Sequence, residues 1–214
     1  MWIFGGGLAA ECVRAAVASA DFQGFCVDTP TGDAVLGAPV SAIRDVLREE
    51  ANPTIFVATG YKALNHDRAN ALERLRAQGV ILTSVVSSPE PSLSHGQNCF
   101  VMADASVHPY VRLGDNVFVW GGAAICHHVR IGNHVWVTAG ATIAGNTSIG
   151  DNVFIGANAT VVSGVSIGSN VFIGAGSLIT SDVPDNVAVA TRPSSRIKVD
   201  AQTFVEFLEQ KGSF

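Results

Sequence analysis

From Val101 to Ile179 an aliphatic residue returns at every sixth position: Val101, Val107, Leu113, Val119, Ile125, Ile131, Val137, Ile143, Ile149, Ile155, Val161, Ile167, Ile173 and Ile179. A two-residue strand alternation alone does not skip positions this regularly, and a helical period of 3.6 cannot produce a strict six. The pattern predicts hexapeptides wound into a parallel β-helix, each forming one side of a prism. A period of 18 lies over the six. LGDNVFV from Leu113, IGNHVWV from Ile131, IGDNVFI from Ile149 and IGSNVFI from Ile167 start 18 residues apart, so three hexapeptides complete a triangular coil. Stacked coils are expected about 4.8 Å apart, the spacing of paired strands, each covering the apolar face of the next. Phe118, Trp136, Phe154 and Phe172 then form one column. Asn116, His134, Asn152 and Asn170 form another, at a turn that favours left-handed backbone angles.

The first 90 residues follow a different rule. MWIF, GFCVD (Gly24 to Asp28), TIFVATG (Thr54 to Gly60) and VILTSVV (Val80 to Val86) read as short apolar strands, with helical stretches at Leu8 to Ser19, Ser41 to Glu50 and Asn65 to Gln78. This alternation predicts a small parallel sheet with helices on its faces, a Rossmann-like α/β domain over residues 1–90. The turn Gly5-Gly6-Gly7 follows the first strand and opens the first helix, which sets backbone amides beside any anion bound there. Asp28 ends the second strand where the dinucleotide fold often has a ribose-binding acid. Position 10 is Ala, so a clean G-x-G-x-x-G is missing and nucleotide binding by this domain stays open. If it binds a nucleotide, the candidate contacts are Gly5, Gly7, Asp28, Gly60, Tyr61 and Arg68.

Residues 91–98, within a Ser- and Pro-rich stretch, read as a connector, and residues 99–190 as the β-helix. DVPDN (Asp182 to Asn186) breaks the register and is expected to end the stack. In the tail, 191–214, Arg192, Arg196 and Lys198 make a small basic cluster. A short amphipathic helix from Asp200 to about Lys211 follows, with Phe204, Val205, Phe207 and Leu208 on its apolar side, suited to capping the open end of the prism.

Composition narrows the partners. The 214-residue chain is 48% hydrophobic with a formal net charge of −5 and no basic run, which argues against nucleic acid or an anionic membrane and favours small molecules. Cys12, Cys26, Cys99 and Cys126 show no paired zinc-ligand spacing, and neither a signal peptide nor an 18-residue apolar span is present, so they read as reduced thiols of a cytoplasmic protein.

Catalytic candidates are side chains that the repeat does not explain. His134 sits in the asparagine column and reads as a turn residue, while His66, His95 and His108 look ordinary. His127 and His128 differ, because one coil later the same positions carry Gly145 and Asn146. An imidazole stacked on a glycine backbone sets a base with a pKa near neutrality beside an amide able to hold an oxyanion, as acyl transfer requires. The alternative is that the pair merely decorates a solvent-facing side.

The run AAICHHVRIGNHVWVTAGATIAGNTSIGDNVFIGANATV resembles the hexapeptide acyltransferases. With the first domain, residues 2 to 191 resemble the family of bacterial sugar N-acetyltransferases and sialic acid O-acetyltransferases exemplified by PglD and NeuD. The resemblance implies a left-handed β-helix, a homotrimer with acetyl-CoA in the cleft between neighbouring prisms, and a sugar or nucleotide-sugar acceptor reaching toward the N-terminal domain. It places the general base at His127 and the amide facing the thioester carbonyl at Gly145. No metal is needed. Three departures stand out. Some relatives carry an acidic residue directly after the base, where this chain has His128; the glycine-rich start GGGLAAE lacks the family's histidine; and ATRPSSR has Thr191 where a glycine is usual. Arg192, Arg196 and Lys198 remain candidates for a CoA phosphate, and Cys126 for a covalent route that lacks an orienting base of its own.

The implied reaction is direct transfer of acetyl from acetyl-CoA to a sugar, most simply the amine of a nucleotide-linked 4-amino-deoxysugar in surface polysaccharide biosynthesis. O-acetylation of a sialic acid-type sugar is the alternative. A zinc-dependent γ-class carbonic anhydrase needs a fixed histidine trio whose spacings no pair among His108, His127, His128 and His134 shows. A non-catalytic trimeric scaffold or nucleotide-sugar binding module is the remaining alternative.

Overall fold

The structure, a computed structural model, describes residues 1–32, 34–88, 90–192 and 198–210, with the side chains of Phe204 and of 207–210 left out. Its first part is a six-stranded sheet built from β1 (Trp2–Phe4), β2 (Gly24–Val27), β3 (Ala34–Val35), β4 (Ala38–Ala42), β5 (Thr54–Val57) and β6 (Ile81–Leu82). The strand order is β3-β4-β2-β1-β5-β6, and all pairs are parallel except the β3–β4 hairpin. Helices α1 (Leu8–Ala16), α2 (Ile43–Glu49) and α3 (His66–Ala77) make the crossovers. Strands covered on both faces read as continuous apolar runs, and the cores show why. Phe4, Cys26, Ile55 and Val57 pack with Ile43, Val46, Leu72 and Leu75 on one face. Ile3, Phe25 and Phe56 turn the other way, toward Ala10 and Val13 of α1 and an aromatic wall from the second part.

That second part is a three-sided prism of stacked parallel sheets, an arrangement that fits a left-handed β-helix. The aromatic face holds seven strands from Val85–Val86 to Ala188–Val189; the second runs from Ser106–Val107 to Leu178–Ile179, and the third from Ser94–His95 to Ser166–Ile167. Register advances by 18, as in Phe118↔Trp136, Ala124↔Thr142 and Arg112↔Arg130. All fourteen hexad positions lie in or against one core, Val107 from its edge. A second inward row runs two residues ahead, through Cys99, Val111, Val117, Ala123, Val129, Val135 and Ala141. Burial pushes the Cys99 thiol up to about 11 and the Cys26 thiol in the sheet domain up to about 12, Asp28 and Glu50 adding to it there.

The Ile-Gly step of each coil has a steric cause. A Cβ on Gly114, Gly132 or Gly150 would come within 2.8 Å of the carbonyl carbon of the glycine one coil on. Beside it, side chains climb the stack: Asp115 N–H donates to Asn133 Oδ1 (2.9 Å), Asn133 N–H to Asp151 Oδ1 (2.6 Å) and Asp151 N–H to Ser169 Oγ (3.0 Å). The asparagine column is left-handed as expected, with φ of 62°, 58°, 55° and 57° at Asn116, His134, Asn152 and Asn170.

Three boundaries differ from the sequence reading. VILTSVV is two strands, because Val85–Val86 leaves the sheet domain to pair with Phe100–Val101. Ser94–His95, inside the stretch read as a connector, already belongs to the third face. DVPDN shortens the register without ending the stack: Asp182 and Asp185 accept from the amides of Ser166 and Ser169, and Ala188–Val189 still pairs with Phe172–Ile173. The tail forms α4 (Ala201–Gln210), its start capped by Asp200 accepting from Thr203 N–H (3.0 Å). Of the residues on which the capping expectation rests, Val205 is exposed, and the side chains of Phe204, Phe207 and Leu208 lie outside those described. Among the described residues no helix is long and apolar enough to cross a membrane.

Candidate active site

Ile125 ends a strand of the second face and Arg130 begins one of the third, so His127 and His128 occupy the corner between them. Gly145 lies directly above. A Cβ built on it would sit 2.5 Å from His127 Cε1, 2.7 Å from Nε2 and 3.0 Å from Nδ1, so the glycine α-carbon rests against the Cε1 side of the imidazole, Nε2 nearer than Nδ1, and a larger residue would displace the ring. The main chain around it is tied down: Ala144 N–H donates to Val161 O (2.9 Å), Asn146 N–H to His127 O (3.1 Å), and Gly145 O accepts from Gly164 N–H (3.0 Å) and Ser163 Oγ (2.7 Å). Among the described residues the Gly145 N–H has no acceptor. The exposed imidazole of His127 and the unengaged amide of the buried Gly145 thus meet at one corner, the types of group that proton removal and oxyanion stabilisation need. His128 has φ 60° and packs against Tyr110 in a tilted arrangement (4.8 Å between ring centres, 41° between planes), and its Nδ1 lies 3.3 Å from Nδ1 of His127.

A second feature lies across the prism. Strand order in the sheet domain reverses beside β1, with β2 and β4 on one side and β5 and β6 on the other; open parallel sheets bind ligands at such a switch point, outside the carboxyl ends of the strands. There a cavity of about 570 Å³ is lined by Gly5, Gly6, Gly7, Cys12, Thr59, Gly60 and Tyr61 together with Trp120 and Trp136 of the aromatic face. Gly5 has φ 134°, and a Cβ on it would fall 2.9 Å from Ala58 O, so the loop can pass this close to β5 only as glycine. Tyr61 leans on Trp136 and Phe154 (5.4 and 4.8 Å). It is held there by a left-handed turn at Ala63, Leu64 and Asn65, a costly conformation for non-glycine residues. Among the described residues, buried Thr59 Oγ1 and Trp120 Nε1, from two residues of the cavity lining, have no partner. Past the two tryptophans it continues into a shallower hollow of about 390 Å³ edged by Met102, Asp104 and Thr138.

Of the proposed substrate contacts, Gly5, Gly7, Gly60 and Tyr61 line the cavity; Asp28 and Arg68 do not. Arg74 of α3 engages both oxygens of Asp28 and occupies the carboxylate. Arg68 is fully buried between the two parts of the molecule. Its guanidinium stacks over Phe118 and Trp136 (4.5 and 4.9 Å) and donates to Asn116 Oδ1 (2.9 Å), Asn116 O (3.3 Å) and Asn65 Oδ1 (3.1 Å). Burial lowers its pKa to about 9, so it stays charged near neutrality, and its contacts join the two parts of the molecule behind the cavity wall. Trp120 and Thr59 were not among the sequence candidates. Trp120 lies two positions after the aromatic column residue Phe118, an offset from the repeat that marks it in retrospect. Arg192 and Lys198 are exposed beyond the last strand, and Arg196 lies outside the described residues. Among the described residues no group of three or more His, Cys, Asp or Glu gathers to hold a metal.

The class of protein that this fold and corner define is matched by the family model for bacterial transferase hexapeptide (six repeats), over residues 128–161 and 146–181. The acetyltransferase domain of PglB from Neisseria gonorrhoeae FA1090, solved with acetyl coenzyme A, is 30% identical with a TM-score of 0.80, covering 92% of this chain and 98% of its own. PerB from Caulobacter crescentus, solved with CoA and GDP-perosamine, is 28% identical with a TM-score of 0.79, covering 91% of this chain and 95% of its own. WeeI from Acinetobacter baumannii AYE shares the fold at 19% identity and a TM-score of 0.65, covering 91% and 97%. No curated protein matches the chain at a significant level. The chain belongs to the hexapeptide-repeat sugar acetyltransferase family.

Proposed function

We propose that the protein transfers an acetyl group from acetyl-CoA to the amine of a nucleotide-linked 4-amino-deoxysugar, with His127 as general base, in the cytoplasmic assembly of a surface polysaccharide. The observation that carries this reading is the contact of Gly145 with the Cε1 side of the His127 ring, Nε2 nearer than Nδ1. The amine attacks the thioester carbonyl, Gly145 N–H donates to the oxyanion, and His127 Nε2 takes the proton that the nitrogen sheds. Collapse expels the CoA sulfur, which receives that proton and leaves as the thiol. Solved relatives holding acetyl coenzyme A, and CoA with GDP-perosamine, support the pairing of substrates.

The nucleotide end of the acceptor belongs in the switch-point cavity of a Rossmann-like domain. Among the described residues its lining carries no charged side chain, so the loop amides of Gly6 and Gly7 and the N-terminus of α1 would receive the phosphates, the Gly5 N–H being held by Cys26 O (2.9 Å). Trp120, Trp136 and Tyr61 offer faces for a sugar or base. This cavity lies against the aromatic face, whereas His127 stands at the opposite corner. A sugar held in the cavity therefore meets the His127 of a neighbouring copy, and a homotrimer completes the site. CoA would run along the second face toward Arg192 and Lys198. Thr191, beside Arg192, hydrogen-bonds to Ala175 at the other end of the second face, between two and three coils above His127, about 13 Å along the stack at the strand spacing.

The test is thiol release from acetyl-CoA against UDP-, GDP- and dTDP-linked 4-amino sugars and sialic acid, wild type beside His127→Asn and Gly145→Ala. One amino sugar should turn over, with losses of at least about a hundredfold in both variants, the scale of removing an acid–base group or an oxyanion donor. Turnover of sialic acid alone would overturn the acceptor assignment, full activity of His127→Asn would overturn the base, and no turnover anywhere would favour a binding module.

A further inference from the structure

We propose that His128 is a positioning residue that fixes the tautomer of His127, so that the base operates as a pair of imidazoles. The inference rests on the reading of His127 as the base and extends it. The two Nδ1 atoms face each other at 3.3 Å. Between two ring nitrogens one must carry the hydrogen and the other the lone pair. A base working at Nε2 of His127, the ring nitrogen nearer to Gly145, must keep its hydrogen on Nδ1. That hydrogen then points at Nδ1 of His128, which accepts. Where a base is oriented by a partner at its other nitrogen, the partner decides which nitrogen is free. Some members of the resembled family carry an acidic residue at this position; here a neutral imidazole takes its place.

His128 is held for the task. Its ring lies against Tyr110 of the coil below, tilted by 41°, its backbone N–H donates to Pro109 O (3.1 Å), and its backbone is left-handed. The groups facing the pair are few. Tyr110 lies below, and the uncharged Gly145 and Asn146 lie above; Cys126 precedes the pair in its own turn, Arg130 follows it, and His108 is one coil beneath Cys126. Among the described residues no carboxylate forms an ion pair with either ring.

The proton balance follows from this arrangement. The proton shed by the amine is taken at His127 Nε2, the imidazolium is held by its Nδ1–H bond to His128, and the same proton passes to the departing sulfur. If solvent protonates the pair first, the reaction stops whichever ring holds the extra proton. On His127 it occupies Nε2. On His128 it occupies Nδ1 and forces the hydrogen of His127 onto Nε2.

The competing explanation is that His128 only fills a left-handed turn, as asparagine does at 116, 146, 152 and 170. His128→Gly, His128→Asn and His128→Glu separate the two. Glycine accepts the backbone angles and removes the ring; kcat should fall about ten- to a hundredfold, the usual cost of losing an outer-shell partner, with KM unchanged. Asparagine offers an accepting oxygen and should restore most of kcat. Glutamate should restore it too while moving the acid limb up by about one pH unit, because a carboxylate stabilises the imidazolium. Nitrogen NMR of labelled histidine reads the tautomer without turnover, so the pairing can be judged even if no acceptor is found: His127 should carry its hydrogen on Nδ1 in the wild type and mix tautomers in His128→Gly. Wild-type kcat and pH profile in His128→Gly, an unmoved limb in His128→Glu, or the same tautomer in wild type and glycine variant would each overturn the proposal. Wild type that turns over nothing while keeping the tautomer would instead sink the assigned reaction and leave the pair intact.

Discussion

In the β-helix a buried residue meets its own kind one coil away. Ile125 pairs with Ile143, Ile143 with Val161, and Val161 with Ile179, each 18 residues on. In the sheet domain Phe56 packs against Ile3 and Phe25 on other strands, and then against Phe100 and Phe118 of the prism (6.4 and 5.6 Å). The first region is a sum of neighbouring terms, as repeat proteins are. The second has one face that is incomplete until the aromatic column covers it. The candidate sites are divided along the same line: the prism sets an imidazole against a glycine amide at a corner, while the sheet domain and the aromatic wall enclose a cavity.

The contrast breaks most severely in the prism core. Ile143→Ala is expected to cost about 2–5 kcal/mol, since flanking coils cannot collapse into the gap without losing register; chemical denaturation measures it. A loss near zero would show that the coils adjust independently. Arg68→Ala comes next, removing the hydrogen bonds of a buried cation to Asn116 and Asn65 at about 2–3 kcal/mol. Calorimetry should then resolve two transitions, prism above sheet domain, where the wild type shows one. A single transition in the variant would mean that the aromatic column alone couples the regions.

The smallest effect sharpens the picture at a single turn. Burial, with the Arg68 charge beside it, lowers the pKa of His134, whose Nδ1 lies 3.0 Å from Asn116 Nδ2. The folded state therefore resists protonation that the unfolded chain accepts. Stability from this residue is complete above the unfolded value of about 6.5 and is lost as pH falls below it toward the lowered folded value. His134→Asn fits the column and should flatten that part of the stability–pH curve. An unchanged slope would assign the acid sensitivity elsewhere.

The amino-acid sequence determined the prism nearly alone. A spacing of six, repeated in threes, leaves one way to bury Val101 through Ile179, and counting 18 from His127 to Gly145 was enough to find the corner, because stacking turns sequence separation into contact. The sheet domain was legible in its strands and helices but not in its partners. Nothing local to Arg68 or Asp28 says that one spans two aromatic rings and the other is claimed by Arg74, since those contacts join residues 46 to 48 positions apart with no repeat to index them. Trp120 and Thr59 became site candidates only when the aromatic face met the ends of β1 and β5. Periodic burial writes its contacts into the sequence; the packing of one region against another depends on shapes that exist only after both have folded.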